Sequence, residues 1–281
     1  MAYRVEVVGA LEHETEGQPS SGQSFLARWL LWITTPLILA ALLAAWKAYV
    51  VLMDVSVLIL PPPEQVAAAT VRLLSSPFFY EHLSITLYET LVGFALGCLA
   101  GITFGVVLGK LRALERILSP FIVATQVIPK VAVVPLFILW FGFGPNSKIF
   151  MAALLSFFPL MQNTILGIRS IDRGHQDLMT VVQASRWQRL WLLEIPSSLP
   201  YVLTGIELAI VFAITGAVVG EYLGGDRGLG ALAVITLAAL RTDALFATVF
   251  ILTVLGFLLY AVVAASRRFV IPWHESSGVS D

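Results

Sequence analysis

Lys130 is a single ammonium inside a long apolar run, between Pro129 and Pro135. Glu89, Gln126, Gln162, Asn163, Glu207 and Glu221 are the other polar side chains set among apolar neighbours. A charge within a bilayer costs at least about 2.5 kcal/mol on insertion scales, so Lys130 should face protein or a water-filled path. Contact with an anionic solute or a gate ion pair would use it there. A structural pair with a carboxylate such as Glu89 or Glu207, or a helix boundary at this point, explains it equally. Lys130, Gln126, Gln162, Asn163 and Glu207 are therefore the candidate pathway residues. Catalytic chemistry finds no support. His13, His82, His175 and His274 are far apart and form no His-x3-His or HExxH spacing, so no metal ligands are assigned. Cys98 is the lone cysteine, which excludes a disulfide framework and a Cys-rich metal site. Gly109-Lys110 is followed by Leu111 and lacks the first glycine of a P-loop, so the chain cannot hydrolyse ATP that way.

The elements that hold these residues follow from composition. The chain is 58% hydrophobic and 12% charged, with a mean hydropathy of +0.87. Soluble domains carry roughly 25% charged residues, so an all-α polytopic membrane protein is expected. The net charge of −1, with no dense basic patch, argues against nucleic acid. A crossing helix needs about 20 mainly apolar residues. Six stretches qualify, at roughly 29–52, 84–109, 120–141, 148–168, 201–222 and 244–265. The acidic segment before the first, with Glu6, Glu12, Glu14 and Glu16, does not read as a cleaved signal peptide. Residues 1–28 read as a disordered cytoplasmic tail, 29–268 as the membrane domain and 269–281 as a cytoplasmic C-terminal tail.

With both termini inside, the cytoplasmic face holds Arg4, Arg28, Lys110, Arg112, Arg116, Arg169, Arg173, Arg186, Arg189, Arg267 and Arg268. The outer face then holds Arg72, Lys148, Arg227 and Arg241. That asymmetry sets the orientation and puts residues 171–200 in the cytoplasm. Outside, Pro61, Pro62 and Pro63 stop the first span ahead of a short interfacial helix at 64–74. The stretch 224–241 reads as a glycine-rich turn and a short helix dipping back toward the membrane, with a seventh crossing as the other reading. Glu89 and Glu221, near the outer ends of their spans, should reach water.

Two spans have distinctive packing chemistry. Gly93, Gly97, Gly101, Gly105 and Gly109 recur every four residues. In lipid, close backbone approach through small residues supplies packing energy, so a neighbouring helix should lie in this groove, either of the same chain or of a second copy. Pro129 and Pro135 should kink or locally open the third span.

Residues 171–200 read as a helix, a break and a second helix. Asp172 can cap the first helix, which runs to about Val182, with the break at Gln183–Ala184. Ser185 and Gln188 form a capping box for the second. Trp187 and Trp191, one turn apart and flanked by Arg186 and Arg189, suit the headgroup interface or the base of the bundle. Pro196 and Pro200 should end that helix and re-aim the chain.

This segment resembles the EAA loop of binding-protein-dependent importer permeases, whose pattern is E-A-A, three residues, G, nine residues, I-x-L-P. Asp177 takes the Glu position, Leu178 and Met179 the alanines, and Gln183 the glycine. Ala184, Ser185 and Arg186 open the A-S-R-W-Q continuation, and Pro196 and Pro200 close the loop. The likeness extends over 60–268. It includes IPKVAVVPLFILWFGFG (128–144), FFPLMQNTILGIRSID (157–172) and GAVVGEYLGGDRGLG (216–230), and is similar to the nitrate/sulfonate/taurine-type group.

What this resemblance implies is the permease of a type I ABC importer in a bacterial cytoplasmic membrane. The expected partners are a second permease copy, forming a homodimer, a cytoplasmic ATPase that binds ATP and Mg, an extracytoplasmic substrate-binding protein, and membrane lipid. The solute would be a small anion or a heterocyclic nutrient, and residues 172–183 would dock the ATPase. No cofactor is expected in the chain itself. An ion-coupled carrier or channel is the competing class; it predicts paired broken helices across inverted repeats, which the sequence lacks.

Overall fold

The computed structural model describes residues 21–271, and the expected tails lie largely outside them. The helix α1 (Ser21–Leu52) starts eight residues before the expected boundary at 29. It belongs to a unit of its own, residues 1–56, and the rest of the chain forms the second. Among the described residues there is no strand. Five helices among the described residues are long and apolar enough to cross a membrane, or six if one sharply bent pair is a single span.

In the second unit the order is α2 (Pro63–Leu74), α3 (Pro77–Lys110), α4 (Arg112–Val127), a 3-10 turn (Lys130–Val133), α5 (Val134–Phe141) and α6 (Pro145–Arg169). Then come α7 (Arg173–Val181), α8 (Arg186–Arg189), a π segment (Leu190–Glu194), α9 (Ile195–Gly224), α10 (Leu229–Ala238) and α11 (Thr242–Val270). Helices α2, α3, α5, α6 and α9 carry proline in their first two positions, where its missing donor has no partner to lose. Helix α2 is the expected short helix, joined to α11 by Arg72–Asp243 at 2.6 Å. At ten residues, α10 is about 15 Å long and cannot cross a bilayer of about 30 Å. The seventh-crossing reading falls.

The glycine stripe faces α6 of the same chain. A Cβ on Gly93 would stand 2.4 Å from the Ala152 Cβ and 2.7 Å from the Ile149 carbonyl oxygen. At Gly97, Gly101, Gly105 and Gly109 the nearest atoms belong in turn to Ser156, Phe157, Thr164 and Ile168. Helix α9 closes on the other side of α6, where a Cβ on Gly216 would meet the Ala152 Cα at 2.8 Å. Ala152, Ala213 and Ala217 are fully buried in this seam. The three-helix core of α3, α6 and α9 thus rests on small residues.

The expected third span is locally opened, to the point of a full break. Its two halves, Arg112–Val127 and Lys130–Phe141, meet at 88°. Pro129 removes a donor, and the clash it imposes holds Ile128 extended at ψ 125, so helical winding stops for two residues. Helix α4 lies on the core through half-buried Leu114, Leu118 and Ile122, one turn apart, against Leu108, Met161 and Ile165.

Pro196 and Pro200 do not end a helix. Arg186–Gly224 winds as one element of 39 residues. The π segment bonds the Ile195 N–H to the Leu190 carbonyl, a wider turn that takes the chain into Pro196 without needing its absent donor. Pro200 stays inside α9, buried.

Candidate functional site

The segment between α6 and α9 is built from local hydrogen bonds. Asp172 Oδ1 accepts from the His175 N–H at 3.2 Å and caps α7. The helix closes with the Gln183 N–H on the Thr180 carbonyl at 3.0 Å and the Ala184 N–H on the Met179 carbonyl at 2.9 Å. This is the paired closure that requires a left-handed residue between helix and loop. Gln183 is that residue, at φ +53, in the place that glycine takes in the EAA pattern. Ser185 and Gln188 then form the expected capping box, turning the chain into α8. Replacing Gln183 with glycine relieves the left-handed conformation and should stabilise the turn by about 0.5–1 kcal/mol. Slower proteolysis at residues 182–185 is the readout, and faster cleavage would contradict it.

This knob carries an apolar tip. Leu178 is 56% exposed, Val181 79% and Val182 60%. Asp177 is exposed and Met179 half-buried beside them. Arg189 locks α8 to α7, donating from Nη2 to the Gln176 carbonyl at 3.0 Å and to Thr180 Oγ1 at 3.3 Å. Lys110, at the end of α3, pairs with Glu194 at 2.6 Å. Arg169, at the end of α6, pairs with Glu115 of α4 at 3.0 Å. Sequence reasoning missed these ties. The basic residues closing α3 and α6 were the available signal, but their partners come from distant segments.

The pathway candidates fare differently. Lys130 opens the 3-10 turn, half-buried, with Nζ 5.7 Å from the Phe158 ring centroid. That cation–π contact is worth about 0.5–1 kcal/mol where exposed. No carboxylate lies within ion-pair distance of it among the described residues, so neither Glu89 nor Glu207 is its partner. Glu207 instead faces Arg267 at 3.4 Å. The Asn163 side chain folds back onto the Pro159 carbonyl at 2.8 Å. Gln126 and Gln162 are exposed. Among the described residues no hydrogen bond or ion pair joins any two of the five.

Glu89 and Glu221 do not reach water. They are 2% and 0% exposed. The reason is that α10 and the turn before it fold over them. Gly228, the N-cap of α10, offers no side chain, so the helix's first donors are satisfied from elsewhere. The Gly230 N–H donates to Glu221 Oε2 at 2.7 Å. The Leu229 N–H donates to Thr86 Oγ1 at 2.8 Å, and Thr86 in turn donates to Glu221 Oε1 at 2.7 Å. His82 Nδ1 lies 2.8 Å from the Gly228 carbonyl oxygen. Lys148, expected in an external loop, is buried in the first turns of α6. Its Nζ donates to the Phe143 and Gly144 carbonyls. The glycine-rich turn at 224–230 was the one sequence signal of this cluster: at φ +98, a Cβ on Gly228 would come within 2.2 Å of the Glu221 carboxyl.

The small-residue bundle, the broken span and the capped knob occur in a chain with clear relatives among membrane transport proteins. Residues 97–273 match the family described as binding-protein-dependent transport system inner membrane component. The chain is 39% identical over 241 residues to a riboflavin transport system permease of Chloroflexus aurantiacus, covering 86% of this chain and 90% of that one. It is 36% identical over 217 residues to a formylaminopyrimidine transport permease of Halalkalibacterium halodurans, covering 77% and 86%. It is 30% identical over 241 residues to a taurine transport system permease of Escherichia coli, covering 84% and 88%. The chain belongs to the binding-protein-dependent transport inner-membrane components and is a multi-pass permease of a type I ABC importer for a small solute.

Proposed function

We propose that two copies of the chain form the translocation path and that a separate ATPase subunit docks on α7 of each. The observation that carries this reading is the knob tip, with Leu178, Val181 and Val182 exposed on a helix fixed at both ends by its own caps. Such an aliphatic tip suits a groove on a soluble partner. ATP and Mg belong to that partner, since Gly109-Lys110-Leu111 is no P-loop. Asp172, Asp177, Leu178, Met179, Gln183, Ala184, Ser185 and Arg186 form the docking element, and Pro196 and Pro200 lie in the rod behind it. The distribution of Lys and Arg supports a bacterial cytoplasmic membrane setting with both chain ends in the cytoplasm.

The solute is a heterocyclic nutrient, delivered by an extracytoplasmic binding protein. Supporting this, the riboflavin and formylaminopyrimidine permeases share more identity with the chain than the taurine permease does. A small anion is the second reading, favoured by Lys130, whose ammonium has no carboxylate partner among the described residues. Co-purification and uptake test the docking. Asp177→Lys with Gln183→Pro reverses a charge at the tip and removes the left-handed turn that proline cannot adopt. The pair should release the ATPase and abolish uptake while the permease stays in the membrane; retained ATPase with full uptake refutes the docking role.

A further inference from the structure

A polar cavity of about 510 Å³ lies where α3 ends, between α7, α8 and the first turn of α4. Its lining cations are Lys110, Arg112, Arg169, Arg173 and Arg189, against Asp172 and Glu194 as the carboxylates. Lys110 is neutralised by Glu194 at 2.6 Å and Arg169 by Glu115 at 3.0 Å. Arg189 spends its guanidinium on the neutral Gln176 carbonyl and Thr180 hydroxyl. Arg112 and Arg173 have no carboxylate within ion-pair distance among the described residues. Asp172 is occupied as the cap of α7. The cavity therefore carries surplus positive charge. Helix α4 begins beside it at Arg112 with no side-chain cap, so its first N–H groups add to the attraction for an anion.

We propose that this cavity binds the phosphate of an anionic phospholipid headgroup. Phosphate chemistry follows from the guanidinium pair, which matches its oxygens in geometry and charge. A lipid is favoured over free phosphate by what flanks the cavity. The segment that supplies Arg189, Leu193 and Glu194 also carries Trp187 and Trp191, 67% and 51% exposed, with their rings 5.6 Å apart. Exposed indoles of this kind sit at headgroup level. Leu111 and Leu192, next in sequence to the lining residues Lys110, Arg112 and Leu193, are exposed and give acyl chains an apolar surface. Basic pockets between membrane helices hold lipid headgroups for these reasons. Bound there, one phosphate would bridge Arg112 of α4 to Arg173 of α7 and fasten the knob to the bundle through lipid.

The test is native mass spectrometry of the detergent-purified full chain, titrated with phosphatidylglycerol, phosphatidylcholine or inorganic phosphate. One phosphatidylglycerol per chain should be retained in preference to phosphatidylcholine. Arg112→Gln with Arg173→Gln should weaken that retention roughly thirtyfold, and Arg112→Lys with Arg173→Lys should restore most of it, which separates charge from misfolding. Equal retention of both lipids, retention untouched by the glutamine pair, or binding of inorganic phosphate alone overturns the proposal. So does loss of a co-purifying ATPase from the glutamine pair while phosphatidylglycerol stays bound, since the arginines would then serve a protein interface. The lipid readout needs no ATPase and no uptake, so it stands or falls apart from the docking of α7.

Discussion

Gly93→Ala should lower the unfolding free energy of the chain in detergent by about 1–3 kcal/mol, the cost of forcing one methyl into a filled seam. The added carbon stands 2.4 Å from the Ala152 Cβ and 2.7 Å from the Ile149 carbonyl oxygen, part of the rigid backbone of α6. Helix α6 cannot retreat, because α9 meets the same Ala152 from the other side at Gly216. Gly93→Leu should leave no monodisperse protein. Adding Ala152→Gly to Gly93→Ala removes the carbon–carbon overlap and leaves the Ile149 contact, so it should recover part of the loss and not all. Gly256→Ala is the control. Its Cβ would meet only Ile214 side-chain atoms at 3.8 Å and beyond, and it should be neutral or slightly stabilising. Chemical unfolding followed by size-exclusion chromatography reads all four. A Gly93→Ala chain as stable as the parent would show that the three helices do not share this contact.

Glu221→Ala has the second large effect, and its signature is local. The substitution deprives the Gly230 N–H and the Thr86 hydroxyl of their acceptor in a site where Glu221 is fully buried. Buried donors left unsatisfied cost about 1–3 kcal/mol each. The first turn of α10 should therefore come loose before the bundle does. Hydrogen exchange in residues 228–238 should accelerate at least tenfold, with exchange in α3 and α6 little changed. Gly228→Ala should produce the same pattern from the opposite cause, a clash with the Glu221 carboxyl on a left-handed backbone. Glu221→Gln keeps an acceptor and should be milder than either. Exchange in α10 unchanged by Glu221→Ala would refute the pinning role.

Features that rest on near neighbours in sequence were legible. The four-residue glycine period required a helix in its groove, and α6 fills it. Ser185 and Gln188 close on each other within one turn. Gln183 falls in the glycine place of the EAA pattern, and the break there is left-handed. Features that depend on distant partners were not legible. Glu89 and Glu221 look solvated when judged by distance from their span ends, and only the return of α10 buries them. Pro196 looks like a terminator until the turn before it widens. Pro129 alone signals an irregular point beside Lys130, but the extent of the break, 88°, follows from Ile128 and Pro129 acting together. The candidate pathway was the least legible, because polar residues scattered along three helices and a 3-10 turn reveal nothing of one another until the helices are packed.

The continuous element Arg186–Gly224 has a mechanical consequence. Its 39 residues make a shaft roughly 58 Å long. One end carries the capping box behind the left-handed turn, and the other carries the carboxyl that secures α10. No loop intervenes, so a force applied at the knob would be carried toward Glu221 through helix and not through slack chain. Compliance is confined to the π segment and Pro200, both in the first half of the shaft. A designer wishing to uncouple the two ends would loosen the shaft there, and leave both ends as they are.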